Sequence, residues 1–315
     1  MRTILAFLFL LASTAWAQQY PAKPVRLLVG FAPGGGTDIV ARLMAAKLTE
    51  RWGQAVVVEN KLGASGNIAA EQVAKSAPDG YTLLMIFSSH ASNAAVMKMP
   101  FDINKDFSSI TLVGSGPAVV LANPQLPAKT LGELIAYAKA HPNEIKYGSS
   151  GVGGTVHLAG ELMSQLAGIQ MVHVPYKGIA LAMTAILGGE IQITYATPIS
   201  AFAHLKSGRL RALAVAGPTR YPTMPDVPTA AQAGLADYEI EFWYGLVGPA
   251  GMQPALVDRI QRDVAGIVTA PEMKQQLLEQ GAIGVGSQPK ELDALIRKEY
   301  ARWLRVVQAG NIKLE

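Results

Sequence analysis

The 315-residue chain contains no cysteine. That absence excludes a disulfide scaffold, thiol redox chemistry, a cysteine nucleophile and every cysteine-ligated metal site. Charge is scarce too. Asp, Glu, Lys and Arg make up 16% of the residues, against about 25% in an ordinary soluble domain. Half of the chain is hydrophobic, which excludes disorder and allows a large core. Basic residues outnumber acidic ones 27 to 23 and form no block, so no nucleic-acid partner is expected. The five histidines, His90, His141, His157, His173 and His204, show no H-x-x-x-H spacing, and no metal or cofactor is expected. No close carboxylate pair falls at an expected strand end, which leaves a glycosidase without support.

Long apolar runs are also missing. The one apolar opening, Ile4-Leu5-Ala6-Phe7-Leu8-Phe9-Leu10-Leu11-Ala12, follows Arg2 and precedes Ala15-Trp16-Ala17. It falls short of the roughly 17–25 residues that cross a bilayer. A positive start, a short apolar run and an A-x-A site are the layout of a secretory signal peptide, here residues 1–17. The alternative is a buried N-terminal helix. Cleavage after Ala17 removes Arg2 and takes the net charge from +4 to +3. No cysteine follows the site, so a lipoprotein anchor is excluded. The expected product is a soluble, exported protein of a bacterial periplasm.

What remains alternates strands and helices. Residues 25–31, 55–59 and 81–87 read as strands, with helices over 37–52 and 66–75. A longer strand is expected over 110–120. Thr130-Leu131-Gly132-Glu133 predicts a capping box, Thr and Glu each satisfying an early helix N–H. Strands at 145–148, 171–175, 191–196 and 210–216 then alternate with helices at 155–167, 179–187 and 199–206. Apolar strands joined by helices imply parallel sheet covered on both faces. After a Pro-rich traverse over 218–228 comes a strand at 239–247. Three helices follow, two with clear stripes: Leu256, Ile260, Val264 and Ile267, then Leu292, Ile296, Tyr300, Trp303 and Val307. Spacings of three and four put each set on one face, which reads as core.

The fold class is therefore α/β, in two lobes, each a mainly parallel sheet flanked by helices. Lobe one is expected to be discontinuous, 20–118 plus 230–315, and lobe two to cover 119–229. A cleft between the lobes is where a small ligand would sit.

Two glycine-rich loops carry the strongest chemical signal. Phe31-Ala32-Pro33-Gly34-Gly35-Gly36-Thr37-Asp38 joins a buried strand to a helix start. Glycine lets backbone N–H groups approach a ligand, and the helix N-terminus carries about half a positive charge. Together they suit an anion. The loop is neither a G-x-G-x-x-G fingerprint nor a P-loop. Asp38 would repel an anion if it pointed inward, so it is expected to cap the loop's own N–H groups. Tyr147-Gly148-Ser149-Ser150-Gly151-Val152-Gly153-Gly154-Thr155 repeats the arrangement in lobe two and adds the hydroxyls of Ser149, Ser150 and Thr155. Two tight turns with no ligand are the plainer alternative.

Catalytic readings are weak. Gly148-Ser149-Ser150-Gly151 is not a G-x-S-x-G elbow, and His157 reads as a packing or loop-bracing residue. Tyr176 could line the cleft and Lys177 could attract a carboxylate, or the lysine could be a solvated turn residue. Within Phe242-Trp243-Tyr244-Gly245, Trp243 could close over a ligand or belong to the core.

Read in order, these motifs resemble the extracytoplasmic solute-binding proteins of tripartite tricarboxylate transporters, the Bug family. The resemblance rests on the two loops, Ala77-Pro78-Asp79-Gly80-Tyr81-Thr82-Leu83-Leu84, Val174-Pro175-Tyr176-Lys177-Gly178, Ser207-Gly208-Arg209-Leu210-Arg211-Ala212-Leu213-Ala214-Val215 and Met224-Pro225-Asp226-Val227-Pro228-Thr229. It spans nearly all of the mature chain. It implies a periplasmic binding protein of type II topology, a Venus flytrap, that is not an enzyme. It further implies a small organic anion as ligand, the permease subunits of a tripartite transporter as partners, and a monomer. In the family the two loops hold a carboxylate through backbone N–H groups and bridging waters. Carried over, these are Pro33, Gly34, Gly35, Gly36 and Thr37, then Ser149, Ser150, Gly151, Gly153, Gly154 and Thr155, with Phe31, Asp38 and His157 beside them. Selectivity would rest on Ser88, Ser89, Tyr176, Thr197 and Trp243. The chain departs from the family at Gly188-Gly189-Glu190-Ile191-Gln192, where Gln192 stands in place of a common Asp. A sensor that engages a histidine kinase, and a secreted hydrolase, are the rival outputs.

Overall fold

A computed structural model describes residues 20–279 and 282–310; the expected signal peptide, 1–17, lies outside them. The first half-sheet is built from β1 (Val25–Val29), β2 (Val56–Asn60) and β3 (Thr82–Phe87), with β1 paired in parallel to both others. Between them run α1 (Gly36–Trp52) and α2 (Asn67–Ala74). Leu28, Leu84 and Ile86 are fully buried, and burying each such side chain contributes roughly 1.5–3 kcal/mol. The helix α1 stops at Gly53, whose φ of 65° is cheap only for glycine.

A second half-sheet repeats the pattern. There β5 (Lys146–Ser149) pairs in parallel with β6 (Val172–Pro175) and β7 (Ile193–Ala196). The connections are α5 (Thr155–Ala167) and α6 (Ile179–Leu187). The short helix α4 (Leu131–Ala140) precedes it. Thr130 accepts from the Glu133 N–H at 3.1 Å, but Glu133 answers to the N–H of Lys129, one residue before the cap. The expected box is thus displaced by one position on its return side.

One strand joins the two halves. The 16-residue β4 (Phe107–Ala122) pairs antiparallel with β9 (Glu241–Pro249) along its first part. Its last residues pair with β7 and β8 (Arg211–Ala216). The sheet order is β2-β1-β3-β9-β4-β7-β5-β6, with β8 and the short β10 (Ile283–Gly284) also on β4. In each half, three parallel strands in the order second-first-third are closed by antiparallel crossing strands. The helix α7 (Pro198–Lys206) follows β7, and Pro198 opens it where the missing N–H costs nothing.

After β9 the chain stays with the first half. Val257, Ile260, Val264 and Ile267 of α8 (Pro254–Val268) are buried, and the helix packs on α1 and β4. Then come α9 (Pro271–Glu279) and α10 (Pro289–Gly310), the latter packed on β4 and on α3 (Ser88–Val96) with Leu292, Ile296 and Trp303 buried. The helix α3 has no counterpart among the sequence expectations. No described helix is long and apolar enough to cross a membrane.

Candidate functional site

A cavity lies where the two halves meet, with about 350 Å³ of space between atoms, its mouth included. Its wall is built from helix beginnings. Gly35, Gly36 and Thr37 come from the start of α1, and Phe87 is the residue before α3. Ser150 and Val156 flank the start of α5, Ile179 opens α6, and Thr197 caps α7. Five helices thus begin at one cavity. Each N-terminus carries about half a positive charge on unpaired N–H groups. Phe31, Tyr195, Phe242 and Tyr244 supply aromatic surface, and no lining residue is charged. Positive potential without a cationic side chain suits a small anion.

The first glycine loop is aimed at this cavity. Behind it, Asp38 accepts from the Gly34 N–H, Arg42 Nε and Asn60 Nδ2, each at 2.9 Å. Burial works to raise the Asp38 pKa, but these hydrogen bonds outweigh it and hold the carboxyl below its usual range. Asp38 does not line the cavity, and Pro33 and Gly34 are exposed. A Cβ on Gly36 would lie 2.5 Å from the Tyr244 hydroxyl and 2.6 Å from Thr197 Oγ1. Only a bare backbone fits there.

The second loop is arranged otherwise. The Gly151 N–H bonds to Ser149 Oγ at 3.1 Å, Gly153 N–H to His157 Nδ1 at 3.1 Å, and Thr155 N–H to Ser89 Oγ at 3.2 Å. Ser65 Oγ donates to the Val152 carbonyl at 2.9 Å, and Ser92 Oγ to that of Gly153 at 3.2 Å. A Cβ on Gly151 would collide with Ser65, and one on Gly153 with Met97 Sδ; Gly154 faces Ser89. This loop therefore grips α3 and the Ser65 turn, and it brings Ser150 alone to the cavity wall.

His157 braces the loop from below. Its ring stacks on His173 with centroids 3.9 Å apart, and His173 Nε2 lies 2.6 Å from Ser149 Oγ. Burial pushes His157 down to about 4 and, with His157 beside it, His173 down to about 3. The Ser149–His173 pair escaped sequence reading, but neither residue lines the cavity, so it offers no nucleophile there.

Other expected site residues sit elsewhere. Trp243 is fully buried in a cluster with Leu28, Leu292 and Ile296, on the opposite face of β9. Side chains alternate along a strand, so Phe242 and Tyr244 reach the cavity and Trp243 cannot. Tyr176 is half-buried against Gly148 and packs on the Ile186 cluster. Ser88 is buried with its hydroxyl unpartnered, outside the lining. Phe87, Val156, Ile179, Tyr195, Phe242 and Tyr244 were missed; a strand buried on both faces gives no clue to which face looks at a ligand. Among the described residues no group of three or more His, Asp or Glu could hold a metal.

The fold and this cavity define a bilobal solute-binding receptor of type II topology. The chain belongs to the tripartite tricarboxylate transporter family of receptors, whose model matches residues 40–312. It is 34% identical to protein BugT of Bordetella pertussis, over 97% of this chain and 94% of that one. Two solved structures from Rhodopseudomonas palustris are similar. Rpa4515 with adipate shares 34% identity, with a TM-score of 0.90 over 93% of this chain and 99% of that one. MatC with bound malate shares 31%, with a TM-score of 0.88 over 91% and 100%.

Proposed function

We propose that this chain captures a small carboxylate between two lobes, 20–118 plus 230–315 and 119–229, in the periplasm. After export by a cleaved signal peptide it would act as a monomer and present the ligand to the permease subunits of a tripartite transporter. The carrying observation is five helix N-termini at one uncharged cavity. Adipate and malate in the two similar structures support a carboxylate. The anion-binding role falls on Gly35, Gly36 and Thr37, with Ser150 and Thr197 opposite. The hydrogen bonds of Ser65, Ser89 and Ser92 to the second loop form only when the lobes are together, so a ligand that favours closure shifts the population toward this form. A thermal-shift screen of the mature protein against carboxylates tests the reading. Stabilisation should follow RT ln(1 + [L]/Kd); folded protein that responds to no carboxylate contradicts it.

A further inference from the structure

The cavity is divided chemically. At one end stand the α1 N-terminus, Thr197 and the Tyr244 hydroxyl, within contact of one another around Gly36. Tyr244 is 1% exposed and lines the cavity, and its hydroxyl has no polar neighbour but the Thr197 hydroxyl. A buried polar group of this kind ordinarily finds a partner. Burial raises its pKa well above the ordinary phenol value, so it remains a neutral donor. Apart from Ser150, the rest of the wall is apolar. Phe87 links Phe31, at 5.9 Å between ring centroids, to Phe242 at 5.3 Å, and Val156 and Ile179 complete it.

Resting on the carboxylate reading above, we infer that the ligand is a compact aromatic monocarboxylate. Its carboxylate would sit at the α1 N-terminus and accept from Tyr244, and its ring would lie among Phe31, Phe87 and Phe242. A second carboxylate would have to enter the aromatic part, where no lining side chain is a cation and the Thr155 N–H at the α5 start is already bonded to Ser89, and a poorly partnered buried charge is disfavoured. A ring satisfies the same wall by edge-to-face and offset contacts. The free hydroxyl of Ser150, 3% exposed and also on the wall, could take a ring substituent such as a hydroxyl. Tyr244 thereby becomes a specificity-determining residue.

The test is calorimetric titration of the mature protein with benzoate, 4-hydroxybenzoate, benzamide, succinate, adipate and citrate. Benzoate or its hydroxyl derivative should bind at least tenfold more tightly than any di- or tricarboxylate, and benzamide should not bind. Tyr244→Phe should weaken benzoate at least tenfold with unchanged circular dichroism and melting temperature. Phe242→Leu should weaken benzoate more than any linear acid. Tighter binding of succinate, adipate or citrate would overturn the aromatic assignment and leave the carboxylate reading standing. Benzamide binding as well as benzoate, or no carboxylate binding to folded protein, would overturn both.

Discussion

The two glycine loops look alike in sequence and do different work. Both follow the first strand of a half-sheet and open a helix. In the first, Asp38 holds the Gly34 N–H from behind, and Gly35 and Gly36 remain bare at the cavity. In the second, the N–H groups of Gly151, Gly153 and Thr155 are already bonded to Ser149, His157 and Ser89. The first loop is the proposed donor surface and the second is a clasp. Glycine in the first leaves bare backbone at the cavity. Glycine in the second supplies backbone angles, φ +134° at Gly151 and +74° at Gly153, and a close approach of protein to protein.

Substitutions should separate the two roles. The largest effect is expected for Gly36→Val, whose side chain would occupy the space of Tyr244 and Thr197. Carboxylate affinity should fall at least about 100-fold, or about 2.7 kcal/mol, and overpacking against these buried side chains should also cost roughly 1–3 kcal/mol of stability. A variant that still binds would remove the first loop from the site. Gly153→Val should cost stability and leave affinity intact. Forcing a β-branched residue to φ +74° beside Met97 should cost roughly 1–3 kcal/mol of stability, read by urea denaturation. If it lost affinity at full stability, the second loop would be a donor surface as well.

Acid should loosen the clasp before the donor loop. His157 must keep Nδ1 unprotonated to accept from Gly153. Its folded pKa, about 4, is depressed by burial, as is that of fully buried His90, also about 4. Unfolded histidines take up protons near pH 6.5, so the unfolded state binds more protons between about 6.5 and 4. Stability should therefore fall as pH drops through that window, by roughly 1–2 kcal/mol per histidine at pH 5. Hydrogen bonds hold Asp38 below the ordinary carboxyl range, so its contribution is present above about pH 4 and is lost only below that. Urea melts at pH 7 and 5 should show the loss, and His157→Gln should reduce it; an unchanged slope in that variant would mean that His157 does not brace the loop. The smallest effect belongs to Ser65→Ala. It removes one bond between the halves, about 0.5–1.5 kcal/mol, and should raise Kd only severalfold. No change would mean that this bond does not distinguish the closed form.

Much of this was legible in the chain itself. The helices over 155–167 and 179–187 match their expected spans, because apolar spacing and glycine stops agree there. The helix α3 was illegible. Ser88-Ser89-His90-Ala91-Ser92-Asn93 is buried nearly all round, and a helix without a solvent face shows no apolar stripe. Trp243 failed for a related reason. Every residue from Phe242 to Pro249 is buried, so composition could not reveal the phase of β9, and a one-residue error moves a side chain to the other face. Which loop amides were free was equally hidden. It depends on Ser89 and Ser92, brought to the second loop from some 60 residues away.

The strand β4 has a mechanical consequence. A joint made of loop acts as a pivot, free to swing and to slide. Here the joint includes a 16-residue strand whose two ends are laced into different parts of the sheet, with register shifts near Ser109–Thr111 and Leu112–Gly114. Such a joint is a flexure: it bends and twists, but the hydrogen-bond ladders forbid translation. The halves can part and return only along a narrow arc. On the proposed lobe division, Thr197 would therefore return to Gly36 and Tyr244 in the same alignment at every closing, without a search.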